Sequence, residues 1–350
     1  MTVEALPLPE DVQIALHRLR SYTSLTAEHS IANLPDKYAS YPRPRFAAVL
    51  VLLYYKPEGG GIRVLLTTRS KALRSHPGQA ALPGGKSDEE DGTPIRTAFR
   101  EANEEIGLPT APHPLSAHIQ VLTLLPTQLS LFRLLVTPVV AFCHRPDLIL
   151  PTLKANEAEV AGIFDHPLEG FLDPDVMKRD GERLVEKGED WIYEDELHST
   201  TDLTWLNNSS YRMHRFRSSS TPIKGLTADI LILTAQIAYA RNTTYSRHAS
   251  NQAEGFGIAI EWVMEEARAA GGWIKAPRGD GNTDGSGGGP PGGAQQPNAA
   301  ASRFTEEKKA IENAAIARLT GRRDRDDEDL GPYTPNVGLS RVGTPIPPSS

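Results

Sequence analysis

Three carboxylates at helical spacing, Glu101, Glu104 and Glu105, are the residues of this chain best placed by type and position to do chemistry. At about 100° per residue, Glu101 and Glu105 fall roughly 40° apart on one edge of a helix, with Glu104 beside them and Arg100 turned away. Like charges at these separations cost a few tenths of a kcal/mol per pair in an isolated helix, and more where they are partly buried. A divalent cation would neutralise them. Carboxylate oxygens are hard ligands suited to Mg²⁺ or Mn²⁺, and the carbonyls of Gly84 or Gly85 can approach the same ion because no side chain blocks them. On helical spacing alone, a solvated acidic face is an equally good reading.

The helix that must carry these groups is well signalled. Thr93 suits the N-cap, Pro94 the first helical position, and Gly107 the C-terminal stop. Between them Ile95, Ala98, Phe99, Ala102 and Ile106 form one apolar stripe that has to pack on a core. Upstream, the runs Arg45–Tyr55 and Ile62–Thr68, with Pro57–Gly61 between them, predict a β-hairpin. Downstream, His118–Leu125 and Phe132–Phe142 predict strands, the second apolar enough for a buried position in a sheet. Tyr211–Phe216 alternates as a strand does. Pro9–Ser21, Ala228–Ala240 and Asn251–Ala270 predict helices.

The order Gly85, then Arg100-Glu101-Ala102-Asn103-Glu104-Glu105-Ile106-Gly107-Leu108, resembles the Nudix box, R-E-U-x-E-E-x-G-U after a glycine and an acidic residue. Asp91 stands where the general box has Glu, and eight residues separate it from Arg100, one more than usual. The GGK-x-D-x-x-D opening and this longer spacer are similar to the coenzyme A diphosphatase branch of the Nudix hydrolases. Leu65-Leu66-Thr67 and the segment Arg69–Gly85 resemble the LLTxRS…R…G…FPGG signature of that branch, with Leu82 for Phe. Ile223-Lys224-Gly225-Leu226-Thr227-Ala228 is similar to its I-W-G-L-T-A, with Lys for Trp.

The resemblance implies a Nudix α/β/α sandwich, a mixed β-sheet between helices, and metal-dependent hydrolysis of the diphosphate bond of coenzyme A or acyl-CoA. The implied products are adenosine 3′,5′-bisphosphate and (acyl-)4′-phosphopantetheine. Glu101, Glu105, Glu104 and Gly85 are then the metal-site residues, Glu104 also polarises the attacking water, and Arg100 braces the carboxylates. Arg69, Arg74 and Lys86 are cations for the substrate's phosphates, with Gly78 and Gln79 in the same binding loop. His76 is expected to order that loop. Asn156–Phe164 resembles the segment where a strand enters a second helix, and Glu157 and Glu159 are late carboxylates whose plainer reading is solvated charge.

Length and composition bound the rest. The 350 residues divide into an N-terminal helix and lead-in (1–39), the catalytic domain (40–245), a C-terminal helix (246–270) and a flexible tail (271–350). Leu172–Asn208 is acidic and irregular, an insertion or an edge hairpin. A net charge of −7 argues against a nucleic-acid-binding surface. No apolar run reaches the ~18 residues of a membrane helix, so no membrane partner is expected. The single cysteine, Cys143, excludes an intramolecular disulfide and is expected to be a small buried hydrophobe. The acidic start and the Pro348-Ser349-Ser350 ending, unlike an S-K-L address, point to an intracellular, cytoplasmic protein; some relatives are peroxisomal or mitochondrial. The alternative functions are a Nudix pyrophosphatase acting on ADP-ribose, a dinucleoside polyphosphate or a nucleoside triphosphate, and an inactive Nudix-fold binding module.

Overall fold

Strand β1 (Phe46–Lys56) is buried on both faces and lies at the centre of the sheet, which is why its sequence is nearly all aliphatic. The computed structural model describes residues 7–22, 45–58, 61–131, 133–188, 191–253 and 255–269. The expected lead-in after the first helix (23–39), the first residues of the expected catalytic domain (40–44) and the tail at 271–350 lie outside them. Helix α1 (Glu10–Ser21) comes first, and after β1 follow β2 (Gly61–Arg69), β3 (Ala80–Ala81), β4 (Gly84–Lys86) and helix α2 (Pro94–Ile106). Next are β5 (Ile119–Leu124), β6 (Gln128–Leu129), β7 (Leu135–Cys143), the short α3 (Pro146–Ile149), β8 (Val160–Pro167) and the short α4 (Val176–Arg179). Then come β9 (His198–Thr204), β10 (Ser210–Phe216), β11 (Ile223–Lys224), α5 (Leu226–Tyr239) and α6 (Gly257–Ala269).

Among the described residues, eight strands form one mixed sheet along the path β3-β2-β1-β7-β5, with β4 on β1, β6 on β7 and β8 on β2. Only the β1–β7 pairing within it is parallel. Side chains alternate along each strand, so β1 feeds two cores. Leu50, Leu52 and Tyr54 meet Ala98, Ala102 and Ile106 of α2 on one face. Val51 and Leu53 meet Leu16 and Leu19 of α1 and Leu231 and Ala235 of α5 on the other. The architecture is an α/β/α sandwich, as the resemblance implied. A third cluster joins Phe46, Leu129 and Leu135 to Ile260 and Val263 of α6.

Differences from the sequence reading are local. The strand expected from Phe132 begins at Leu135, because Ser130 and Arg133 close a turn in which Arg133 has φ 60°. The helix expected from Asn251 begins at Gly257: Asn251 and Gln252 instead give their side-chain oxygens to the backbone N–H groups of Ser210 and Arg212. The acidic Leu172–Asn208 stretch supplies β9, which pairs with β10 in a separate three-stranded sheet, β11-β10-β9. Buried Arg63 on β2 ties this stretch down through Glu182 while also pairing with Asp165 of β8 at 2.5 Å.

Candidate active site

The signals read at the ends of α2 are physically present. Thr93 Oγ1 accepts the Arg96 N–H at 3.2 Å, Pro94 opens the helix, and Gly107 closes it at φ 67°. That left-handed cap suits glycine, which pays no Cβ penalty there. The helix packs on β1 and β4, so its inner edge faces the Gly84-Gly85 pair. Glu105 lies on that edge, 5% exposed, and its Oε2 accepts the Gly84 N–H at 3.1 Å. Glu101 lies one turn earlier. A Cβ built on Gly85 would stand 2.5 Å from the Glu101 carboxylate, so glycine at 85 is what leaves room for that group. Gly84 is constrained by backbone: its φ is +149°, and a Cβ there would lie 2.6 Å from Val49 Cα.

Charge in this pocket is poorly compensated. Burial pushes the Glu105 carboxyl up to about 7, and the charges of Glu101 and Glu159 push the same way. The Gly84 amide and Arg69 oppose that rise, but the Arg69–Glu105 pair is long, 4.0 Å. Burial also raises Glu101, with Arg100 opposing and Glu104 and Glu159 adding to the rise. Glu159 is half-buried in the turn before β8, and its carbonyl accepts the Ser70 N–H at 2.8 Å. The turn is set by the end of α2, since Asn156 N–H donates to the Glu105 carbonyl and Lys154 N–H to that of Ile106.

Arg100 differs from its position on a helical wheel. Its long side chain folds back, so that Nε and Nη2 engage Asp91 at 2.9 and 3.0 Å while Nη2 reaches Glu101 at 3.1 Å. Nη1 pairs with Glu104 at 3.0 Å, and Nη2 also donates to the Lys86 carbonyl. Asp91 is 5% exposed and accepts from Thr97 and the Asp88 N–H as well. The Arg100 hydrogen bonds hold its carboxyl down at about 2. Asp91 is therefore the anchor of the bracing arginine, and Glu104 lies on the exposed rim, its side chain 53% accessible.

Two or three convergent carboxylates beside a glycine strand are a donor set that fits Mg²⁺ or Mn²⁺. Among the described residues no three His, Cys, Asp or Glu side chains already stand at metal-holding distance. The other expected residues fall on the loop joining β2 to β3. Gly78 N–H donates to the Arg69 carbonyl and Arg69 N–H to that of Gln79, closing the loop neck. The His76 ring pairs with the Gln79 side chain at 3.1 Å, the ordering role expected of it. Arg74 and Lys86 are exposed. Cys143 is fully buried, and burial pushes its thiol up to about 11. Glu157 is exposed while Glu159 is half-buried and its charge pushes the Glu101 and Glu105 carboxyls up, a distinction that spacing could not make. Asn156 carried no signal beyond turn propensity.

A NUDIX domain matches residues 44–188, which contain α2, the glycine strand and the Glu159 turn. Nudix hydrolase 15, mitochondrial, of Arabidopsis thaliana is 36% identical over 217 residues, covering 61% of this chain and 65% of that protein. Nudix hydrolase 22, chloroplastic, of the same plant is 34% identical over 233 residues, 67% of this chain and 66% of that protein. Peroxisomal coenzyme A diphosphatase ndx-8 of Caenorhabditis elegans is 36% identical over 192 residues, 54% of this chain and 67% of that protein. The chain thus spans just under two thirds of the length of both plant proteins. Among the described residues no helix is long and apolar enough to cross a membrane. The acid-rich helix seated on paired glycines and the span of these matches agree: the chain belongs to the Nudix hydrolase family.

Proposed function

We propose that this chain is a divalent-metal-dependent diphosphatase acting on coenzyme A or its acyl esters. The observation that carries the reading is the pair of carboxylates, buried Glu105 and partly buried Glu101, packed on the same glycine dipeptide, with burial pushing both carboxyls up. Glu101 and Glu105 would hold Mg²⁺ or Mn²⁺, with the Gly85 carbonyl and Glu104 at the rim and Glu159 completing the acidic ring. When bound, the ion offsets phosphate charge and favours ionisation of water. Arg100, locked by Asp91, keeps Glu101 and Glu104 in range. Glu159, half-buried in the turn before β8 and close enough to act on both carboxylates, is the residue that would accept a proton from the attacking water.

On the substrate side, Arg69 reaches toward Glu105 from the loop neck, and Arg74 of the same loop and Lys86 of β4 are exposed cations. Coenzyme A carries a 3′-phosphate beyond its diphosphate, which gives cations outside the metal pocket something to bind. One water enters at one phosphorus, the bridging oxygen leaves with the other, and two phosphomonoesters result: adenosine 3′,5′-bisphosphate and (acyl-)4′-phosphopantetheine. Similarity to the worm protein named as a coenzyme A diphosphatase supports this substrate class. The test is a substrate panel of coenzyme A, an acyl-CoA, ADP-ribose and a dinucleoside polyphosphate with Mn²⁺. Highest kcat/KM on coenzyme A or acyl-CoA is expected. Preference for ADP-ribose or a dinucleoside polyphosphate would overturn the substrate, and no turnover of any member by folded protein would overturn the enzyme.

A further inference from the structure

The segment Ser218–Pro222 runs from the end of β10 to β11 and touches the main sheet at its catalytic edge. Thr221 Oγ1 donates to the Gly78 carbonyl at 3.1 Å, and the hydroxyls of Ser220 and Thr68 lie 2.8 Å apart. Both contacts fall on the neck of the β2–β3 loop. Gly78 is bonded to the Arg69 carbonyl, and Thr68 is Arg69's chain neighbour. On its opposite side this neck holds the Glu159 carbonyl through the Ser70 N–H. Arg69, proposed for substrate, therefore hangs on this neck, whereas the Glu159 turn is also held by the end of α2 through Asn156 and Lys154.

The hydroxyl loop is itself braced. Ser218 is fully buried, its Oγ donates to the Thr221 carbonyl at 2.8 Å, and it accepts the Ser220 N–H at 3.0 Å. The Ser218 carbonyl accepts the Val185 N–H, and Arg217 donates to the carbonyls of Val185 and Glu194 at 2.8 Å each. A segment that only filled space would need no hydroxyls at 220 and 221, since Val and Ala occupy such volumes without a polar group to satisfy.

We infer that Ser220 and Thr221 are positioning residues: through Thr68 and Gly78 they set the loop neck that aims Arg69 at the substrate's phosphates. This rests on the reading of the pocket as a diphosphatase site. The small β9–β11 sheet is then a buttress for substrate binding, distinct from the metal pocket on α2. An arginine aimed by this neck contacts the phosphates in ground and transition states alike, so misplacing it raises KM and spares kcat.

The experiment compares Thr221→Val, Ser220→Ala and the conservative Thr221→Ser in the full chain, with coenzyme A and Mn²⁺ as probe. Thr221→Val and Ser220→Ala are expected to raise KM about three- to tenfold with kcat within about twofold of the parent, and Thr221→Ser to restore KM. Deuterium uptake by backbone residues 69–79 is expected to rise in Thr221→Val and not in Thr221→Ser. Unchanged KM together with unchanged uptake overturns the inference. So does a loss of activity that follows a lowered melting temperature and is not restored by Thr221→Ser. If the parent protein itself leaves coenzyme A intact, the diphosphatase reading falls, and the uptake comparison alone decides whether these hydroxyls hold the neck.

Discussion

Replacing each of the two adjacent glycines with alanine is expected to give opposite phenotypes. At Gly84 the new Cβ meets backbone, 2.6 Å from Val49 Cα and closer still to the Ala48 carbonyl oxygen, and φ is +149°. Neither β1 nor β4 can yield without breaking their antiparallel pairing at Ala48–Gly85 and Val49–Gly84. Strained backbone and overpacking each cost about 1–3 kcal/mol, so Gly84→Ala should lose about 2–6 kcal/mol. For a domain of this size that is a melting temperature roughly 5–20 °C lower. At Gly85 the new Cβ meets only the Glu101 carboxylate, the free end of a flexible side chain. Glu101 can rotate away for about 0.5–1.5 kcal/mol, with a further loss below about 1 kcal/mol from its half-exposed pair with Arg100. Gly85→Ala should therefore melt within roughly 10 °C of the parent, yet turn over at least ~100-fold more slowly, because Glu101 is displaced from Gly85. Circular dichroism gives the melting curves, and chromatography of the nucleotide product gives kcat. Turnover by Gly85→Ala within about threefold of the parent would refute the placement of Glu101, and an unshifted melting point for Gly84→Ala would refute the close β1–β4 approach.

Three further outcomes follow from named contacts. Thr93→Ala removes the acceptor of the Arg96 N–H and should cost about 1 kcal/mol in urea unfolding while leaving kcat unchanged. Arg100→Lys keeps the charge but loses the planar fork that spans Asp91, Glu101 and Glu104; a stability loss of about 1–3 kcal/mol and a lower kcat are expected, and parent-like values for both would reject Arg100 as the brace. His214, 1% exposed, donates from Nε2 to the Arg247 carbonyl and so accepts from His198 at Nδ1. Burial holds its folded pKa down at about 4, whereas the unfolded ring titrates near its ordinary value, so protons favour the unfolded chain. The neutral ring is accommodated fully above pH ~6.5, and stability is lost as pH falls from there toward 4. The stability gap between the parent and His214→Gln should shift by about 2 kcal/mol between pH 7 and pH 5, and a pH-independent gap would show that this ring is not kept neutral.

The helix that carries the carboxylates was legible because each of its signals is local. Cap, proline, apolar stripe and closing glycine act within a turn or two of where they stand, and all four behave as read. The central strands were legible because burial on both faces leaves a composition that little else produces. What spacing could not supply were contacts made by long side chains and by residues far apart in sequence. The helical wheel sends Arg100 away from the glutamates, but its reach returns it to four carboxylates on two segments. Glu105 falls outside any hydrophobic stripe by type, yet its contact with the Gly84 amide places it in the core. Glu157 and Glu159 are indistinguishable until the turn at Asn156 is bonded to the end of α2. The hydroxyls at 220 and 221 lie more than 140 residues from their partners, and nothing in their own neighbourhood announces the contact.

The central claim is that Glu101 and Glu105 of α2, packed against the Gly84-Gly85 strand, exist to hold a divalent cation. Calorimetric titration of Mn²⁺ into the full chain, beside Glu101→Gln and Glu105→Gln, tests it most directly. The account predicts a saturable site in the parent that either substitution abolishes while both variants remain folded. Absence of Mn²⁺ binding to the parent at millimolar concentrations, or binding that survives both substitutions unchanged, would contradict it.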